Sequence, residues 1–161
     1  MRISFVLNGD PVSIDARAET LLVDILRKEF GLTGARPGCL QGECGICSIL
    51  LGGELSLACM IPAFRVQDCE VTTIEGVMQS REFRDIEYGF HRAGMEPCRF
   101  CAAAKVLVTH ALIRSTPTPG TEALTSAASA IHCRCTSYSR FTEGIRFAAE
   151  ARRKRYNVRQ R

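Results

Sequence analysis

Cys39, Cys44 and Cys47 form a C-x4-C-x2-C run, and Cys59 follows after eleven residues. That is the plant-type spacing for a [2Fe–2S] cluster. Three thiolates taken from one turn bring the backbone close to the inorganic core, so side chains must be missing at several points. Gly38, Gly42 and Gly45 supply the close approach and the dihedral freedom it demands. Backbone N–H groups freed in such a loop can point at the sulfurs and stabilise an anionic cluster. Buried cysteines acting as small hydrophobes are a poor rival reading, because a ten-residue loop with three glycines and three cysteines makes no core. A four-cysteine zinc site competes better, but its usual paired C-x2-C knuckles do not fit the step from Cys39 to Cys44.

A second set of four follows later in the chain. Cys98-Arg-Phe-Cys101 opens one predicted helix, and Cys133-Arg-Cys135 lies just before another. The helix pair between them folds back, which brings C-x2-C beside C-x-C. Tetrahedral sulfur ligation suits zinc and iron–sulfur chemistry alike, so these residues alone leave both open. Helix N-termini aimed at the site favour an anionic centre in either case. Cys69, the ninth cysteine, alternates with Val71 in a predicted strand and reads as a buried or half-buried apolar residue. His132 adjoins Cys133, but a Rieske-type centre needs two histidines on one iron; it reads as a neighbour of the ligands or a surface residue. His91 and His110 fall on helices with no serine or carboxylate constellation. No nucleophile, P-loop or dinucleotide fingerprint is present, so no catalytic residue is expected on this chain.

The elements that position these cysteines divide into two styles. Ile3, Phe5 and Leu7 alternate, Asn8-Gly9-Asp10 turns, and Val12 and Ile14 return, which predicts a hairpin. Thr20 is placed to cap a helix carrying Leu22, Ile25, Leu26 and Phe30 on one face, stopped by Gly31. Short strands are expected over 47–51 and 54–58 around Gly52-Gly53, and a last one over 66–74. After Gly76 the spacing turns helical. Phe83, Ile86 and Phe90 mark one helix; Phe100, Ala104, Leu107 and Ala111 a second; Thr118-Pro119 starts a third with Leu124, Ala127, Ala128 and Ile131 inward. Tyr138, Phe141, Ile145 and Ala148 mark a fourth, and four short amphipathic helices make a small bundle. The expected division is 1–76 and 77–161.

Composition bounds the rest. Of 161 residues, 46% are apolar and 24% charged, an ordinary globular balance. No apolar run approaches the roughly 20 residues that span a membrane, and the opening apolar stretch is too short for a signal-peptide core. A cytoplasmic protein is expected, and in a reducing compartment nine cysteines point to metal ligation rather than disulfides. The net charge of +4 comes from residues 152–161, which hold six Lys/Arg and no acid; the remainder carries −2. This basic C-terminal tail reads first as a solvated end and second as a strap for an acidic partner. Nothing else supports nucleic-acid binding.

The whole chain resembles the small iron–sulfur subunit of the molybdenum hydroxylases, the family of xanthine dehydrogenase, aldehyde oxidoreductase and carbon monoxide dehydrogenase. The stretches that carry the resemblance are PGCLQGECGICSILLGG with Cys59 downstream, VTTIEGV at 71–77, CRFC at 98–101 and HCRCTSY at 132–138. The resemblance implies an α+β protein: a plant-type ferredoxin-like (β-grasp) domain over 1–76, then an all-α four-helix domain over 77–161. It implies one [2Fe–2S] cluster on Cys39, Cys44, Cys47 and Cys59, and another on Cys98, Cys101, Cys133 and Cys135. It further implies an electron relay within a hetero-oligomer, between molybdopterin on a large subunit and FAD on another, neither cofactor being held by this chain. Three departures stand out. Pro97 occupies the place of a glutamine that contacts the pterin in the family; Cys101-Ala-Ala-Ala-Lys105 replaces C-T-P-G-M; and Ser137 replaces a glycine. Alternatives are therefore an iron–sulfur adaptor for a partner without pterin contact, or one cluster plus structural zinc.

Overall fold

The structure, a computed structural model, describes residues 1–159, with side chains to 157. The first hairpin pairs β1 (Arg2–Leu7) antiparallel with β2 (Asp10–Asp15). Asn8 and Gly9 both take positive φ, 53° and 94°, the conformation that closes a two-residue turn in step with strand twist. Helix α1 (Leu22–Lys28) packs Leu22, Val23, Ile25 and Leu26 under the sheet. A second hairpin joins β3 (Ser48–Leu51) to β4 (Glu54–Leu57), and β5 (Glu70–Thr72) completes a five-stranded sheet ordered β2-β1-β5-β3-β4. Only the β1–β5 pair is parallel, so the sheet is mixed.

Helices follow: α2 (Ile74–Val77), α3 (Arg81–Arg92), α4 (Ala102–Ser115), α5 (Thr121–Ser129) and α6 (Tyr138–Arg159). Ser80 caps α3 through its hydroxyl, which accepts from the Phe83 N–H at 3.3 Å. Helix α4 contacts α2, α3, α5 and α6 and also β3 and β4. It is consequently buried nearly all round, from Ala104 through His110. Buried side chains form two groups: one beneath the sheet, the other among the helices and reaching back to Leu50, Ile74 and Val77.

Several expectations change. Thr20 caps nothing; α1 starts after Leu21, whose side chain makes no cap bond, and Thr20 instead offers its carbonyl to the Ala63 N–H. The strand expected over 66–74 shrinks to β5, because 63–66 is a 3-10 turn and Asp68 takes φ 59°. Phe100 lies before α4 and is half exposed rather than part of its inward face. Helix α5 begins after Gly120, just beyond the expected Thr118-Pro119 start. The basic run is no free tail through residue 159: it continues α6. Within it Arg155 donates from Nε and Nη2 to buried Asp85 at 3.1 and 2.6 Å, and Arg152 donates to the Ile113 carbonyl at 2.9 Å. Residues 160 and 161 of that run lie outside the described residues. Among the described residues no helix is long and apolar enough to cross a membrane.

Candidate iron–sulfur sites

The loop from Gly34 to Cys47 contains no regular element, and β3 begins immediately after it. Strand register fixes two of its cysteines. Because Ser48 pairs with Leu57, Cys47 and Cys59 sit together at the open end of the β3–β4 hairpin, away from its Gly52-Gly53 turn. Cys39 and Cys44 come from the loop itself. The Gln41, Glu43 and Cys44 N–H groups all donate to Cys39 Sγ, at 3.4, 3.3 and 3.4 Å. These bonds, that from Cys44 foremost, lower the Cys39 thiol to about 6. Burial pushes Cys47 the other way, to about 12, with the neighbouring Cys59 and Cys44 thiols adding to the rise.

Gly38, Gly42 and Gly45 have distinct reasons to lack a side chain. A Cβ on Gly38 would stand 2.7 Å from Cys44 Sγ. Gly42 holds φ 78°, a left-handed conformation that L side chains rarely adopt. Gly45 combines φ 74° with a close approach from elsewhere, since its Cβ would overlap the Ala130 carbonyl oxygen.

The second set rests on helix ends. Cys98 and Cys101 belong to the turn that leads into α4, with the Ala102 N–H donating to the Cys98 carbonyl at 3.0 Å. Cys133 and Cys135 come from the connection between α5 and α6. Cys101 Sγ lies 3.4 Å from Cys98 Sγ and 3.2 Å from Cys133 Sγ. The Cys101 N–H foremost, with its thiol and the Phe100 N–H, lowers Cys98 to about 7. Burial first, then the adjoining Cys133 and Cys98 thiols, pushes Cys101 strongly upward. Cys135, the exposed member, is raised by sharing its proton with Cys98. Burial opposes ionisation of Cys133, but bonds from Cys101, Cys135 and Thr136 and the charge of Lys105 outweigh it.

In the second set Cys98 is lowered while Cys101, 3.4 Å away, is raised; in the first, Cys39 is lowered and Cys47 raised. Four thiolates at such separations need a cationic core between them, and a ferric sulfide cluster supplies one. The donor set therefore fits [2Fe–2S] chemistry.

The two cysteine regions adjoin. The His132 N–H, one residue before Cys133, donates to the Cys44 carbonyl at 3.1 Å. Gly45 packs on Ala130 and Ile131, and the Arg36 guanidinium lies 5.7 Å from the centre of the Phe100 ring. Sequence reading gave Gly45 a role in its own loop and missed this second one, because Ala130 is 85 positions away. It also missed Lys105, buried at 2% exposure, whose only signal was its place one helical turn after Cys101. Cys69 remains apart from both sets, half-buried just before β5, its Sγ 3.5 Å from the Arg65 and Gln67 carbonyls. Cys135 opens onto a pocket of about 370 Å³ lined by Glu96, Thr136, Ser137 and Arg140.

Sheet, helices and paired thiols together define an iron–sulfur protein of mixed α+β architecture. Residues 73–146 match a family described as a [2Fe-2S] binding domain. The chain is 34% identical over 148 residues to the nicotinate dehydrogenase small FeS subunit of Eubacterium barkeri, covering 92% of this chain and 94% of that protein. It is 38% identical over 132 residues to a probable xanthine dehydrogenase subunit of Bacillus subtilis, covering 82% and 76%. The crystal structure of quinoline 2-oxidoreductase from Pseudomonas putida 86 superposes with a TM-score of 0.85 at 33% identity, over 95% of this chain and 96% of that one. The chain belongs to the family of small iron–sulfur subunits of the molybdenum hydroxylases.

Proposed function

We propose that the chain relays electrons through two [2Fe–2S] clusters, one held by Cys39, Cys44, Cys47 and Cys59 and one by Cys98, Cys101, Cys133 and Cys135. The observation that carries this reading is the direct backbone link between the regions, from the His132 N–H to the Cys44 carbonyl. It joins a ligand of one set to the neighbour of a ligand in the other through a single hydrogen bond. Such a cluster, once bound, supplies one-electron storage. The protein's own part is to fix the thiolates, to direct N–H groups at Cys39 Sγ, and to keep the two loops pressed together at Gly45.

The partners in this reading are those the family resemblance implies. One end of the relay takes electrons from a molybdopterin centre on a large subunit, and the other passes them to a flavin subunit. Exposure of Cys135 beside an open polar pocket supports a partner docking at the second cysteine set. Pro97 favours a second reading, in which that partner is not a pterin, because a proline side chain donates no hydrogen bond. Purifying the chain anaerobically from its own cells separates the two. A co-purifying large subunit whose oxidised extract shows pterin fluorescence supports the molybdopterin relay; repeated recovery of a redox partner lacking pterin supports the adaptor. Turnover of a hydroxylase substrate by the isolated chain would falsify both.

A further inference from the structure

Lys105 is among the largest fully buried side chains of the described residues, at 2% exposure. A buried ammonium is costly unless something repays its lost hydration. Part of that comes from the Phe141 ring, whose centre lies 4.1 Å from Nζ, within cation–π range. Phe141 is itself fixed edge-on against Phe90 at 6.0 Å. Neither contact explains why a cation is there, because an apolar residue would fill the same space between helices without the cost. No carboxylate forms a salt bridge with Lys105 among the described residues, where the other buried charge, Asp85, has Arg155.

What lies beside Lys105 is the second cysteine set. Its own N–H donates to the Cys101 carbonyl at 3.1 Å, so it follows Cys101 by one turn of α4. Cys101 Sγ is in turn 3.2 Å from Cys133 Sγ. We propose that Lys105 is a positioning charge for the second cluster: a fixed, buried cation that raises its reduction potential relative to the first. Taking up one electron makes a cluster and its four thiolates one unit more negative, with no bond made or broken. A cation in a water-poor setting stabilises that added charge more than it would in solution. The first set has no counterpart among the described residues: N–H dipoles at Cys39 do the stabilising there, and no lysine is buried near it. The inference rests on the second set holding a [2Fe–2S] cluster, as proposed above.

The test is a potentiometric titration followed by EPR on the full chain, anaerobically purified, for the unaltered protein and for Lys105→Met, Lys105→Gln and Lys105→Arg. Iron and sulfide are counted on each sample. In the Met and Gln variants the reduced-to-oxidised ratio of the second signal, read at the unaltered midpoint, should fall about tenfold. That is about 59 mV for a one-electron couple. The Arg variant should keep the unaltered value, and the first signal should stay put in all three. An unmoved second midpoint in the neutral variants overturns the proposal. So does equal movement of both signals, or loss of the second cluster from all three variants including Arg, which would mark Lys105 as a shape requirement rather than a charge. About two irons and a single signal in the unaltered chain defeats instead the two-cluster reading on which the proposal stands.

Discussion

The two cysteine regions solve one problem with different materials. The first uses a glycine-rich loop and the open end of a β-hairpin, and it stabilises negative charge with N–H groups, three of them on Cys39 Sγ alone. The second uses two helix-flanking turns, and a buried lysine stands one turn after Cys101. Dipoles in a loop require exact backbone conformation, which is why the first region depends on glycines. A side-chain charge on a helix requires only burial, which the central position of α4 provides. The comparison teaches that the first site should be sensitive to backbone changes, and the second to side-chain chemistry and helix packing.

Ligand substitutions should break the comparison most completely. Cys47→Ser and Cys101→Ser should each lower iron from about four per chain to about two. Each should remove a different EPR signal and leave the other intact. Loss of both signals from either substitution would mean the regions do not load independently.

Backbone changes come next. Gly45→Ala places a methyl against the Ala130 carbonyl and forces an L side chain to φ 74°. It should destabilise the chain by about 2–4 kcal/mol in chemical denaturation and separate the unfolding of sheet and helices into two transitions. Gly52→Ala is the control, since its Cβ would meet nothing within 4 Å although its φ of 58° is also positive. It should cost only about 1 kcal/mol. Equal effects of the two would show that the contact with Ala130 holds nothing together.

Packing of the helices is probed at Arg155. Its removal leaves the Asp85 carboxylate, 7% exposed, without its partner. Because the arginine is itself partly exposed, Arg155→Ala should cost about 1–3 kcal/mol. Adding Asp85→Asn should recover part of that. The first EPR signal should not change.

The smallest expected effect belongs to His110. Burial first, then Arg114 and Arg152, lowers its pKa to about 4 from the ordinary 6.5, and its Nδ1 has no hydrogen-bond partner among the described residues. A group whose folded pKa is depressed contributes stability above its unfolded value and loses it as pH falls through the folded one. The unaltered chain should therefore lose roughly 1–2 kcal/mol relative to His110→Leu between pH 6.5 and pH 4, measured by denaturant titration. Parallel pH profiles would show that His110 is not held neutral.

These experiments bear most on features that local pattern did not reveal. The first hairpin was legible because Asn8-Gly9 joins two alternating runs whose pairing partners are only a few positions apart. The C-x4-C-x2-C spacing of the first set pointed to a [2Fe–2S] loop, whereas the spacing of the second set left zinc and iron–sulfur open. The helices after Gly76 were legible by period, yet Lys105 falls off the Phe100, Ala104, Leu107 and Ala111 stripe, so the period did not mark it as inward. It is buried because α4 is enclosed on every side, which no single helix can announce. The basic run was misread for a related reason: its partner Asp85 lies 70 positions upstream, invisible to any window of charge. Thr20 failed as a cap because its carbonyl was taken by a long-range bond to Ala63.

Elemental analysis with EPR tests most directly whether both cysteine sets carry [2Fe–2S] clusters. Iron, acid-labile sulfide and zinc are counted per chain on anaerobically purified protein, and spectra are taken after dithionite reduction. About four irons, about four sulfides and two distinguishable reduced signals are expected. About two irons, one zinc and a single signal would contradict this, confining electron transfer to the loop and hairpin and leaving the helices as a structural zinc module.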